Sequence, residues 1–197
     1  MAAGRQRTFD KQDALNKAME AFWRMGYSAT SLSDLTRAMG INKPSLYAAF
    51  GNKEELFVSA IQHYVDQYGV PHFEKLTLPD TSLKDRLSNY LGSIARMLTN
   101  SKLPGGCFVA TSTCEAGSHC LPDHAVHTIL DINSRSTDAF IHFFRDEQAK
   151  DHLSETALPE ELADWLLTLQ FGLAVMARNG ATVERLQQII KQGLSCF

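Results

Sequence analysis

No stretch of this 197-residue chain approaches the roughly 18 uninterrupted apolar residues of a helical membrane span, which excludes that class of protein. The opening "MAAGRQRTFDKQ" lacks the apolar core of a secretory signal, so the cytoplasm is the expected compartment and the cysteines are expected as reduced thiols. A phosphate-binding glycine loop and a nucleophile–base pairing are both missing, which argues against an enzyme and against a bound cofactor. Strand-like alternation is missing too. What remains is ordinary for a soluble domain, with 44% hydrophobic and 21% charged residues, and the length suffices to bury a core without disulfide staples.

Charge is spread unevenly. Residues 1–60 carry eight Lys/Arg against six Asp/Glu, a net +2, while residues 61–197 carry eleven against sixteen, a net −5. A mildly basic end on an acidic body points to a polyanionic partner at that end.

Helical periodicity runs through almost the whole chain, so the expected fold class is all-α. Ala14, Leu15, Ala18, Met19, Phe22 and Trp23 form one apolar stripe on a helix that should stop at Gly26. In "TSLSDLTRAMG", Ser31 is placed to cap the next helix, Asp34 suits its positive end, and Leu32, Leu35 and Met39 face inward. Gly40 ends it. Asn42 caps a second short helix, "KPSLYAAF", with Pro44 in the first turn where a missing N–H costs little. Asn52 and Glu55 then stand at capping-box spacing before a longer helix.

Two short helices about a glycine turn, braced on each side by another helix, are the layout of a helix-turn-helix domain. Its second helix exposes Lys43, Ser45 and Tyr47, which supply charge, a small hydroxyl and an aromatic body with a polar tip, while Leu46 and Phe50 turn to the core. Lys53 begins the following helix near amides able to meet a phosphate. Arg5 and Arg7 precede the first helix, where they suit a groove or a phosphate backbone.

The run "ATSLSDLTRAMGINKPSLYAAFGNKEELF", with the preceding "FDKQDALNKAMEAFWRMGYSATS", resembles the N-terminal signature of TetR-family transcriptional repressors over about residues 8–60. The resemblance implies phosphate contacts from Thr30 and Ser31, and base or backbone contacts from Lys43, Pro44, Ser45 and Tyr47. It also implies that Lys53 anchors the fourth helix. Where many members carry His or Tyr after the Leu-Tyr pair, this chain has Ala48 and Ala49, which shifts the expected weight to Tyr47 and Lys53. The implied organisation is a DNA-binding domain over 1–51, extended by the helix from 52, and an effector-binding and dimerisation domain over 52–197.

Beyond residue 69, "YGVPHFEKLTLPDTS" reads as a connector. Amphipathic helices follow over Leu83–Asn100, Pro122–Gln148 and Val183–Leu194. The segment "LPEELADWLLTLQFGLAVMARNG" is apolar around much of its circumference and needs cover on two sides, which favours a subunit interface. In the family that it resembles, the last two helices form a homodimer, so that two heads read a near-palindromic double-stranded operator, and the body encloses a pocket for a small-molecule effector. Tyr90, Met97, Phe108, Phe140, Phe144 and Trp165 are the candidates for its lining, and nothing names the effector.

Three of the four cysteines crowd into "GGCFVATSTCEAGSHC". Cys107 reads as the packed start of a helix. Cys114 and Cys120 are the candidate redox thiols. The paired spacings typical of structural zinc are missing, and no metal site is expected. The expected function is a DNA-binding regulator, a repressor released from its operator by an effector. The alternatives are a redox- or metal-responsive regulator using Cys114 and Cys120, and a helical oligomerisation protein that does not bind DNA.

Overall fold

The computed structural model describes residues 9–197 and, among them, contains helices and no strand. Arg5 and Arg7 therefore lie outside the described residues.

Helix α1 (Lys11–Ala29) is capped by Asp10, whose carboxylate accepts the amides of Gln12 and Asp13. Its stripe, Ala14, Ala18, Met19, Phe22 and Trp23, is buried. The helix was expected to stop at Gly26, and it breaks there without ending. Gly26 sits at φ 79°, a left-handed conformation that favours glycine, and the chain then resumes for one more turn. Helix α2 (Leu32–Met39) opens on a capping box in which Ser31 and Asp34 satisfy each other's backbone N–H. Gly40 closes it at φ 68°, and a Cβ there would meet nothing within 4 Å, so backbone angle alone selects glycine. Helix α3 (Lys43–Phe50) is capped by Asn42, which accepts the Ser45 N–H at 2.9 Å. Helix α4 (Lys53–Tyr64) opens on a second capping box, Asn52 with Glu55.

The segment expected to be a connector is mostly helical. Below Tyr64 the helix widens into a π turn over Val65–Gly69, immediately before Pro71, which has no N–H to return to the preceding turn. A short α5 (Val70–Phe73) and a 3-10 turn over Glu74–Thr77 follow. The body then comprises α6 (Leu83–Leu98), α7 (Phe108–Gly117), α8 (Asp123–Ala149), α9 (Pro159–Arg178) and α10 (Val183–Gly193).

Two apolar cores result. The first gathers Phe22, Trp23, Leu35, Leu46, Phe57 and Ile61 from α1–α4, and extends through Phe108, Leu121, Ala125 and Ile129 into α7 and α8. Phe57 meets Phe22 edge-on at 5.2 Å and Phe108 at 5.6 Å between ring centroids, so the α1–α4 unit is cemented to the body by aromatic packing. The second core lies among α6, α8, α9 and α10. Beside it, Arg86 forms a buried two-pronged pair with Glu147, and also donates to the Leu76 carbonyl at 2.9 Å. Burial pushes the Glu147 carboxyl up, but hydrogen bonds from Arg86, His152 and Lys150 outweigh it and hold it down at about 2.

Candidate nucleic-acid interface and the cavity behind it

Residues four apart share a face of a helix, and α3 uses this simply. Leu46 and Phe50 are buried, while Lys43 and Tyr47 stand on the opposite side. Tyr47 is 49% exposed, unusual for an aromatic on so short a helix with a core available beneath it. Pro44 and Ala48 are exposed beside them and Ser45 is half-buried. Among the described residues Lys43 is exposed on this face.

Other expected contacts are located differently. Thr30 is fully buried, and its hydroxyl donates to the Gly26 carbonyl. In this structure its side chain is therefore engaged within the protein. Ser31 is exposed, but its hydroxyl is engaged in the capping box. These bonds with Ser31 hold the Asp34 carboxyl below its usual range. Lys53 extends over the face of Tyr27, with Nζ 4.0 Å from the ring centroid. Partial burial lowers its pKa, with Glu115 opposing. It anchors the start of α4 to the exit of α1 within the protein.

That exit is the least anticipated feature. In an unbroken helix the N–H groups of Tyr27 and Ser28 would donate to the carbonyls of Trp23 and Arg24, four residues earlier. The kink frees all four groups, and the body takes them up. Glu115 of α7 accepts the Tyr27 N–H at 3.0 Å and the Ser28 N–H at 3.3 Å. Arg178 of α9 donates to the Trp23 carbonyl at 3.1 Å and to the Arg24 carbonyl at 2.8 Å. Ser28 adds a bond to the Cys120 carbonyl at 3.0 Å. Two charged side chains from different body helices thus hold the broken end of α1. Sequence patterning missed both, since their partners lie 87 or more positions away in the chain.

Behind the α1–α4 unit lies a cavity of about 390 Å³ among α4 with its π turn, α6, α8 and α9. Tyr90, Met97 and Phe140 line it. Phe108 and Phe144 do not, because both are fully enclosed in the two cores. Trp165 is also off the wall, packed against Phe197 with ring centroids 5.3 Å apart. Tyr64, Tyr68 and Gln170 also line it and were not among the candidates, and Cys107, read as the packed start of a helix, borders it as well. Gln170 left a trace in the sequence, as the one amide side chain in the largely apolar run "LLTLQFGLAV".

Cys107 opens α7 against the cavity, where its sulfur accepts the Tyr64 hydroxyl at 3.4 Å. Burial pushes its thiol pKa up. Cys114 and Cys120 are exposed. Among the described residues no group of three or more His, Cys, Asp or Glu side chains is gathered as a metal would require, and no helix is long and apolar enough to cross a membrane.

Comparison with known proteins bears on the whole arrangement. Residues 14–60 match the family model described as bacterial regulatory proteins, tetR family. The HTH-type transcriptional repressor ComR of Escherichia coli (strain K12) is 35% identical over 186 residues, covering 94% of this chain and 88% of that protein. The repressor BdcR of the same strain is 29% identical over 200 residues, covering 93% and 86%. Among solved structures, a cysteine mutant of the TetR family transcriptional regulator CifR, complexed with 26-base-pair double-strand operator DNA, superposes with a TM-score of 0.87. It is 32% identical, and the match covers 98% of this chain and 100% of that one.

Proposed function

The chain belongs to the TetR family of bacterial transcriptional regulators, and we propose that it is a homodimeric repressor whose α3 helices read a near-palindromic operator and whose cavity receives the effector that releases it. The observation that carries this reading is the outward pair Lys43 and Tyr47 on α3, on a chain similar along its full length to a regulator bound to operator DNA. A helix of this kind enters the major groove, and two heads related by a two-fold axis meet two half-sites one helical turn or a multiple apart.

The dimer reading is supported by α9 and α10. Thr168, Gly172 and Val175 lie exposed along one side of α9, with Val175 54% exposed, and a Cβ on Gly172 would meet nothing within 4 Å. This side is open and nearly flat, which suits a close isologous contact between two copies. The route from cavity to head is short. Gly106, beside Cys107, packs on Arg178 and the Ala174 carbonyl so tightly that a Cβ would come within 3.2 Å of that oxygen. Arg178 in turn holds α1. A ligand that prefers a different arrangement of this wall shifts the head through Arg178 by its difference in affinity for the two states.

Gel-shift titration with the DNA flanking the protein's own gene tests the reading. Tyr47→Ala should weaken binding about tenfold, and Lys43→Ala should weaken it and lower the salt slope by about one unit. Binding and salt slope unchanged in both variants would end the assignment of α3 as the reading helix. Light scattering of Val175→Glu, expected to be monomeric, tests the interface.

A further inference from the structure

The cavity's chemistry narrows what it admits. No Asp, Glu or Lys lines it. The guanidinium at its rim, Arg135, is 72% exposed and leans toward Asp131 at 3.7 Å. His72 is bonded to Ser93 at 2.8 Å, and burial, with Arg96 and Lys75 nearby, lowers its pKa and keeps the ring neutral. A charged group carried past this rim would find no counter-charge among the described lining residues, which disfavours its entry. The walls are mostly apolar, and aromatic rings set their shape. Phe73 stacks on Phe140 at 5.8 Å, and Tyr90 meets Phe140 edge-on at 5.9 Å.

Most polar groups on the wall are already matched. The Tyr64 hydroxyl donates to Cys107, and the Asn133 amide donates to Thr113 at 3.0 Å. The exception is the pair of Tyr90 and Gln170. The Tyr90 hydroxyl donates to Gln170 Oε1 at 3.0 Å, which leaves Gln170 Nε2 buried without a partner. If the amide is turned over, Nε2 donates to the phenol oxygen and the Tyr90 O–H becomes the unfilled donor. In both orientations one buried donor is left over on a residue that lines the cavity, and a buried unfilled donor favours a ligand that brings an acceptor to it.

We propose that the cavity binds an electrically neutral, largely apolar molecule with a flat aromatic body and one hydrogen-bond acceptor, a carbonyl or ether oxygen, received by the Tyr90–Gln170 pair. Its regulatory meaning rests on the cavity's being the effector site, but the binding preference does not.

The test is calorimetry on the full chain at neutral pH with three probes of one size class: 2-acetylnaphthalene, naphthalene and 2-naphthoate. The ketone should bind about tenfold tighter than either of the others, the worth of one net hydrogen bond. Gln170→Leu should reduce the ketone to within about threefold of naphthalene while leaving naphthalene unchanged. Gln170→Met, which keeps chain length, serves if the leucine variant fails to fold by circular dichroism. Equal or tighter binding of the carboxylate overturns the proposal. So does a ketone preference that survives loss of the amide, or no binding by any probe. The same probes added to the gel shift separate the two readings. Ketone preference with unchanged operator occupancy sustains this inference and removes the effector role, whereas equal release by all three probes removes the inference and keeps the role.

Discussion

The α1–α4 unit and the body are both helical, yet side-chain caps open every helix of the first and only some helices of the second. Each of α1, α2, α3 and α4 opens on a side-chain cap: Asp10, Ser31, Asn42 and Asn52. In the body, α6 and α10 open on the caps Ser82 and Thr182, whereas α8 and α9 open on Pro122 and Leu158 with no side-chain bond to a first-turn amide. Short helices have few internal hydrogen bonds to offset nucleation, so local caps matter to them. Long helices draw their stability from the faces that they bury. The α1–α4 unit thus draws more on neighbours in sequence, and the body more on packing between distant segments.

The largest expected effect tests the body's dependence on long-range pairing. Arg86→Met leaves Glu147 buried without its main partner and should cost about 3–5 kcal/mol in urea denaturation, much of it recovered in Arg86→Met/Glu147→Leu. The same pair sets an acid response. Glu147 is depressed from an ordinary 4.5 to about 2, so its contribution is present in full above about 4.5 and is lost as pH falls toward about 2. Glu147→Gln should be less stable at neutral pH and flatter across that window.

An intermediate effect probes the seam between the two regions. Glu115→Ala unpairs the Tyr27 and Ser28 amides and should cost about 1–3 kcal/mol, with those two amides exchanging hydrogen sooner than the rest of α1. Faster exchange spread evenly over α1 would mean that Glu115 supports the fold generally and does not hold the kink.

The smallest effect sharpens the comparison itself. Ser31→Ala should cost about 1 kcal/mol by loss of the capping box, whereas Pro122→Ala, at a body helix start that uses no cap, should stay within about 0.5 kcal/mol. Equal costs at the two positions would remove the contrast between local and long-range specification.

This contrast also explains what was legible beforehand. The caps, the glycine turn and the two faces of α3 depend on residues within four positions of each other, and pattern reading found them. The burial of Thr30, whose hydroxyl donates to the Gly26 carbonyl, was not legible, because it depends on tertiary packing. The stretch "CEAGSHC" drew notice for Cys114 and Cys120, but both are exposed, and the residue between them that engages the rest of the molecule is Glu115. Its partners are backbone amides, which have no signature in sequence.

By itself, the sequence determined the all-helical fold, the starts of α2, α3 and α4 and the residues that α3 turns outward, because each follows from propensity, capping and period over a few residues, and its N-terminal signature carried the family. The tertiary structure alone decided which aromatics enclose the cavity and which fill the cores, where a buried donor is left over, and that Glu115 and Arg178 hold the broken end of α1. Those outcomes depend on which distant helices meet and at what distance, and an amphipathic stripe does not state its partner.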